Sequence, residues 1–432
     1  MRKCLKLVVG LVVLYSATAL AEPTTMDEMK ATIDALQAKL QAQQSRLDQL
    51  ENRVDQDMRL EMAQVARELA ADAAKQSATP TWLENLTFFG DFRLRYRNDC
   101  ADGPLDMRRA KMRNRMQFRL RFGFMKTWLD EQLKVVFRLA SGENEADPAL
   151  YACSDPRTTD QTFTGLFNRK NIWIDRAYAV YEPKALPGLT VAGGKVGIPF
   201  VHTDMIWDED INAEGFWAQY KKAFGPVEPF VNGGYFIAYE NAPYVDDQYD
   251  TILMFYQVGM NWQIVEDVKW TFAASYYDYD HTRNATGVRA LEYEMINLTN
   301  KVGFKLFDLP WEVYVDYVHN CENDLTSRHE ENMDDGLAVG IKVGKNEKKG
   351  DWSVGYKYAY IEGFCTPFFF NDVDFNGTNS RGHVIRGTYN LTDFLTLGGS
   401  IFFLQNIGDA PILYETSGAE EITTIVDLTW SF

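Results

Sequence analysis

Two arginine-rich segments constrain what this chain can fold into more than any other feature: FFGDFRLRYR from Phe88 and RNRMQFRLRFGF from Arg113. Both alternate with a period of two, the spacing at which a β-strand turns successive side chains to opposite faces. In the first, Phe88, Phe92, Leu94 and Tyr96 share one face, while Asp91, Arg93, Arg95 and Arg97 share the other. In the second, Met116, Phe118, Leu120, Phe122 and Phe124 oppose Arg113, Arg115, Gln117, Arg119 and Arg121. A half-buried strand of a soluble sheet also alternates this way, so the question is which face meets water and which meets something apolar.

The compartment bears on that question. Arg2, Lys3 and Lys6 form a basic start, Leu7 to Tyr15 an apolar run and Ala19-Leu20-Ala21 a small-x-small cleavage site, so residues 1–21 read as a signal peptide. The run falls short of the roughly 20 residues that a spanning helix needs. Cys4 lies ahead of the run rather than at a cleavage site, which argues against a lipoprotein cysteine. No later stretch is continuously apolar over a helical span. A membrane location would therefore require a closed β-barrel, the other structure that satisfies every backbone group without water. The net charge of −17 does not suit a dedicated nucleic-acid binder, because phosphate binding needs a basic surface. Aromatic residues make up 14% of the chain, which favours interfacial girdles.

Residues 22–81 are expected to form a periplasmic coiled coil and linker. Ile33, Leu36, Leu40, Leu47, Leu50 and Val54 keep heptad spacing, and Met58, Met62, Val65 and Leu69 resume it after a four-residue step, the pattern of a stutter. Gln43 falls at a core position, where a polar side chain tunes register or strand number. So narrow an apolar face calls for identical partners, giving a homotrimer through residues 26–75; an amphipathic helix lying on the barrel is the alternative. A periplasmic or cell-wall contact is a further expected partner.

Thr79-Pro80-Thr81 ends the helix. From residue 82 to 432 about sixteen alternating segments follow one another, from 87–97 to 421–432, the repeated signal of a transmembrane barrel. Short connections such as LDEQ near Asp130 and DLP near Pro310 interleave with longer polar ones, as short turns on one rim and long loops on the other would require. The fold class is thus an all-β transmembrane barrel of about 16 antiparallel strands preceded by an α-helical coiled coil, embedded in outer-membrane lipid. Val426, Leu428, Trp430 and the terminal Phe432 alternate with Asp427, Thr429 and Ser431, a closing strand that ends in aromatics.

With those residues in view, the chain resembles a family of bacterial outer-membrane porins that pair a periplasmic coiled coil with a barrel. The resemblance is carried by FGDFRLRYR at Phe89, RNRMQFRLRFG at Arg113, FRLASGENEADP at Phe137, IWIDRAYAVYEP at Ile172, GGKVGIPF at Gly193 and TDMIWDEDINAEG at Thr203, in one order through the first half of the barrel. The second half matches mainly in strand rhythm and the terminal Phe. The resemblance implies passive diffusion of small solutes and names no substrate.

If the apolar faces meet lipid, the arginines must face the lumen, because Arg on the lipid face costs roughly 2–4 kcal/mol at mid-membrane. Arg93, Arg95, Arg97, Arg113, Arg115, Arg119 and Arg121, with Arg138 and Lys195 from later strands, are then expected to line the pore. Asp204, Asp208, Glu209, Asp210 and Glu214, in the connection after the fifth strand, are candidates for an acidic loop folded inward to face them, setting a transverse field; an ordinary surface loop is the alternative. Cys100, Cys153, Cys321 and Cys365 fall in expected outer loops of an exported protein, with pairings Cys100–Cys153 and Cys321–Cys365 favoured among three. Asp372, Asp374, Asn376 and Gly377 copy the opening of a calcium loop, yet its twelfth position is His383 rather than Glu, so no metal or other cofactor is expected. No GxSxG, HExxH, P-loop or GxGxxG occurs, and no enzyme is expected. The function expected is that of a porin passing small hydrophilic solutes and ions, with two alternatives: a sheath for a redox or secretion partner, and an outer-membrane hydrolase.

Overall fold

The computed structural model describes residues 26–76, 83–102, 112–143, 154–164, 166–240, 250–280, 293–322, 333–408 and 420–432. The expected signal peptide lies outside them. The chain divides into two compact units, Met1–Glu84 and Asn85–Phe432.

The first unit is described by one continuous helix, α1 (Met26–Gln76), of 51 residues. At 1.5 Å per residue it is about 75 Å long. The heptad residues Ile33, Leu36, Leu40, Leu50, Val54, Met58, Met62 and Val65 are 46–70% exposed, so the stripe is uncovered along most of the helix.

The second unit contains β1 (Leu86–Asp102), β2 (Met112–Trp128), β3 (Leu133–Ser141), β4 (Gln161–Thr162), β5 (Ile172–Tyr181), β6 (Leu189–Gly197), β7 (Asn212–Lys221), β8 (Val227–Tyr239), β9 (Thr251–Val265), β10 (Val268–Asp280), β11 (Tyr293–Leu306), β12 (Leu309–Asn320), β13 (Asp335–Gly344), β14 (Trp352–Ile361), β15 (Ser380–Asn390), β16 (Leu395–Asn406) and β17 (Glu420–Ser431). All but the two-residue β4 form a closed ring of antiparallel neighbours, in which β1 pairs with both β2 and β17. β4 pairs with β2 beyond the end of β3. Closure leaves no sheet edge, as an apolar solvent demands. At the seam Gly90 and Phe432 exchange backbone hydrogen bonds of 2.9 and 3.1 Å. A Cβ at Gly90 would stand 2.2 Å from the Arg121 carbonyl oxygen, so only glycine allows this approach.

Outward positions carry the apolar face: Phe88, Leu120, Phe122, Val258, Ile296, Val354, Ile385 and Val426 are 37–56% exposed. Inward positions divide into two halves. On β1 to β5 they are mainly charged. On β9 to β12 they include Phe255, Tyr277, Met295 and Val318, fully buried, together with the buried polar Gln257, Ser275, Asn297 and Asp316, so the inner face of these strands is covered and mixes apolar with hydrogen-bonded polar side chains. Their inner partners are two long connections that turn back into the barrel, residues 198–211 between β6 and β7 and residues 362–379 between β14 and β15. Phe200, Met205, Ile206, Trp207, Phe364 and Phe375 of these loops join one apolar cluster with the wall. Each such side chain withdrawn from water is worth about 1.5–3 kcal/mol, enough in sum to hold the loops in.

Candidate functional site

The charged half of the interior begins with the two opening strands. Register places Arg93 opposite Arg119 and Asp91 opposite Arg121 across β1 and β2, so like charges stand side by side and need carboxylates between them. Asp91 bridges Arg119 at 2.9 Å and Arg121 at 2.7 Å. Asp160, in the connection leading to β5, meets Arg93 at 2.7 Å and Arg95 at 2.8 Å. Asp427 of β17 holds Arg95 through two hydrogen bonds of 2.8 and 3.0 Å. Arg97 pairs with Asp374 and Asp99, Arg115 with Asp99 at 2.6 Å, and Arg138 with Asp175. Arg113 is exposed near the loop end of β2.

The two inner loops close over this wall as one body. Trp207 stacks on Phe370 with ring centroids 4.9 Å apart. The Asp208 amide donates to the Phe370 carbonyl at 2.7 Å, that of Asp372 to Asp204 at 3.1 Å, and the Asn371 side chain to Met205 at 3.0 Å. On its far side the 198–211 loop is tied to the wall by Gln257 to the Val201 carbonyl, Lys301 to the His202 carbonyl and Thr203 to Asp316.

Their carboxyls sit in different fields. Asp204 is buried, which favours the neutral acid, but Lys357 at 2.7 Å and Arg386 at 3.7 Å outweigh burial and hold it down to about 2. Asp208 is pushed up to about 9 by burial, then by Asp372 and Asp210. Its oxygens accept from the amides of Asp210 at 2.9 Å and Val373 at 3.2 Å. Asp210 meets Arg121 at 3.3 Å and accepts from the Thr159 hydroxyl at 3.0 Å; despite burial, Arg119 and Arg121 hold it below the usual range. Glu209 is exposed.

Between loops and wall lies a cavity of about 320 Å³. Six arginines line it (Arg93, Arg95, Arg119, Arg121, Arg157 and Arg386), against eight carboxyls (Asp160, Asp204, Asp208, Glu209, Asp210, Asp372, Asp374 and Asp427). The wall is therefore not a bare basic surface but one side of an ion-pair network. A family model described as a putative porin matches residues 103–289 and 284–417. The chain belongs to this porin family. That makes it a β-barrel channel protein of the outer membrane. The fold agrees with the Pseudomonas putida OprB structure determined at high pH, at 11% identity and a TM-score of 0.53 over 83% of this chain and 97% of that one. A mutant porin of Rhodopseudomonas blastica is also similar, at 11% identity and a TM-score of 0.43 over 80% of this chain and 100% of that one. No curated protein sequence matches.

Several expected site residues fall elsewhere in this porin. Lys195 is not in the pore. Along β6 Ala192 and Val196 point inward and Val191 outward, and Lys195 shares the face of Val191. Glu214 belongs to β7 rather than to the loop. Its neighbour Gly215 stands opposite the interior Phe236, which turns Glu214 outward to meet Lys195 at 2.6 Å. The loop acids also reach different walls, Asp210 the arginines of β2 and Asp204 the cations of β14 and β15. Cys100 lies on β1, not in a loop, and Cys100, Cys321 and Cys365 are free thiols. Cys365 is buried in the interior cluster, whereas Cys321, directly after the end of β12, is only partly covered. Cys153 lies outside the described residues. Asp372 and Asp374 are engaged by Arg386 at 3.2 Å and by Arg97, and His383 points outward, so the calcium-like spacing does not gather its ligands. Arg157, Asp160, Lys357, Arg386 and Asp427 were not among the expected site residues. The inward register of Arg386 and Asp427 was readable from strand alternation, but nothing local marks Arg157 or Asp160.

Proposed function

We propose that this porin passes small hydrophilic solutes and ions by passive diffusion, and that the cavity between the arginine wall and the inner loops is the place where they are filtered. The observation that carries the reading is the division of the interior: the β9–β12 side is packed shut by buried side chains of the wall and the inner loops, so a water-borne solute is left the charged side. There Arg93, Arg95, Arg119 and Arg121 with the loop acids Asp208, Glu209 and Asp210 act on charge and dipole, while the loops set the radius. Arg97, Arg113, Arg115 and Arg138 extend the basic face along the wall.

The same proposal has residues 1–21 directing export and removed, and helix 26–75 joining three chains in the periplasm. Its uncovered heptad stripe supports that assembly, since so narrow a face is stable in water only against identical faces. Cross-linking of purified protein should give trimers, and trimers that persist when Leu36, Leu40 and Leu50 are replaced by Ser would refute the helix as their cause.

A sheath for a partner protein calls for a wide bore, which two inward loops oppose. A hydrolase calls for a serine beside an outer-wall histidine, yet among the described residues His319 meets Asp335 and His383 meets Tyr356. The purified protein in a planar bilayer tests the channel directly. Stepwise conductance is expected, and its absence from the properly folded oligomer would sink the reading.

A further inference from the structure

We propose that a groove on the outer wall of β14 to β17, at the long-loop end, holds the phosphate of an outer-leaflet lipid headgroup. This goes beyond the channel and rests only on the barrel standing in the membrane. The groove, about 420 Å³, is bordered by Tyr358, Arg381, His383, Phe403, Gln405 and Glu420. These positions alternate with Val384, Phe402 and Leu404, which are buried in the interior cluster, so the groove faces away from the lumen.

Its height matches a headgroup. On β15 the outward row runs from Tyr389, at the short-turn end, through Ile385 to His383 and then Arg381. Eight residues at about 3.3 Å each, tilted by about 40°, place Arg381 roughly 20 Å above Tyr389, close to the edge of an apolar band about 25 Å tall. Exposed Ile401, Phe403 and Ile422 lie at or below that level and offer apolar surface to an acyl chain.

Its charge points to an anion. Arg93, Arg95, Arg97, Arg119 and Arg121 on the inner wall each meet a carboxylate, whereas among the described residues Arg381 hydrogen-bonds only to the Gln405 side-chain oxygen, through Nε at 3.1 Å and Nη2 at 2.6 Å. Among the described residues no carboxylate forms an ion pair with it, although Glu420 and Glu421 also border the groove. His383 spends Nδ1 on the Tyr356 hydroxyl at 2.8 Å, and its ring lies 5.0 Å from that of Tyr358. In the tautomer whose Nδ1 accepts from the Tyr356 hydroxyl, His383 Nε2–H joins Arg381 Nη1 in donating to phosphate oxygens, and such charge-assisted bonds are the strong ones. Glu420 stands opposite Gln405 on β17 and confines an anion to the β15 side.

The test uses the full chain in detergent with diphosphoryl lipid A as probe, counting retained lipid by native mass spectrometry. Wild type should retain one lipid more per chain than R381A/H383A, whose affinity should fall about tenfold or more for two lost charge-assisted bonds, with R381K nearer to wild type. Equal retention by wild type and double variant overturns the proposal. So does loss of the difference when inorganic phosphate competes, which would make this a free-anion site. A double variant that changes oligomer size but not lipid count would assign the groove to a second copy and overturn it too. The conductance of the double variant should stay that of wild type, so absent conductance refutes the channel and equal retention the groove.

Discussion

Replacing Arg93, Arg119 and Arg121 together by Ala removes three positive charges from the cavity lining and leaves Asp160, Asp91 and Asp210 facing the gap. A sphere with the cavity's volume has a radius of about 4 Å, which puts a lining charge about 6 Å from its centre. In bulk-water dielectric each charge then acts on a permeant ion with about 0.7 kcal/mol, cut to about half where the Debye length is about 8 Å. Three charges give about 1 kcal/mol for each ion sign, in opposite directions, so the cation-to-anion permeability ratio should rise roughly 30-fold near 0.15 M salt. At about 1 M the Debye length is about 3 Å and the rise should shrink to about two- to threefold. Zero-current potentials under a tenfold salt gradient, at both mean concentrations, measure this. The matching triple Lys variant keeps the charge and should keep the wild-type ratio. A ratio within about twofold of wild type at low salt, or one shifted equally at both concentrations, would refute the argument that these guanidinium groups set the field.

Two further outcomes concern the inner loops. Trp207 is 2% exposed, stacks on Phe370 and meets Phe200 edge-on, so W207A should weaken loop packing by about 3–5 kcal/mol and give larger or noisier conductance steps; steps identical to wild type would mean that the loops are not held by this contact. Asp208 keeps its proton in the folded loop up to about pH 9, whereas a free Asp loses it near about 3.9. The closed loop is therefore most stable at acid pH and loses stability as pH climbs from about 4 towards 9, so current noise should rise over that window in wild type and stay flat in D208N. Parallel profiles would exclude Asp208 as the titrating group.

Much of the molecule was legible as sequence. Period two in FFGDFRLRYR and RNRMQFRLRFGF is a local property, and it paired the arginines on one face and the aromatics on the other before any contact was known. Turn chemistry placed the short connections, and the alternation near Phe432 marked the strand that closes onto β1. The helix followed from its heptads in the same way. Alternation weakens in GGKVG, where glycine and small residues leave little polarity to read, and there Lys195, expected in the pore, faces outward. Along β9 to β12 alternation marks the strands but not what covers them: Phe255, Tyr277, Met295 and Val318 stand among polar inward positions because that face is covered by loops that the strands themselves do not announce.

What only the tertiary structure decided is where those loops go. A strand's two faces are told apart by neighbours one or two residues away, but the inward course of residues 198–211 depends on groups far along the chain. Asp204 meets Lys357, 153 residues on, and Arg157 donates to Phe368, 211 residues on. The sequence determined that arginines would line the inside of a barrel; closure of the barrel brought Asp427 against them, and the connections carrying Asp160 and Asp374 turned in to meet them, and so decided that the wall is an ion-pair network rather than a bare positive face.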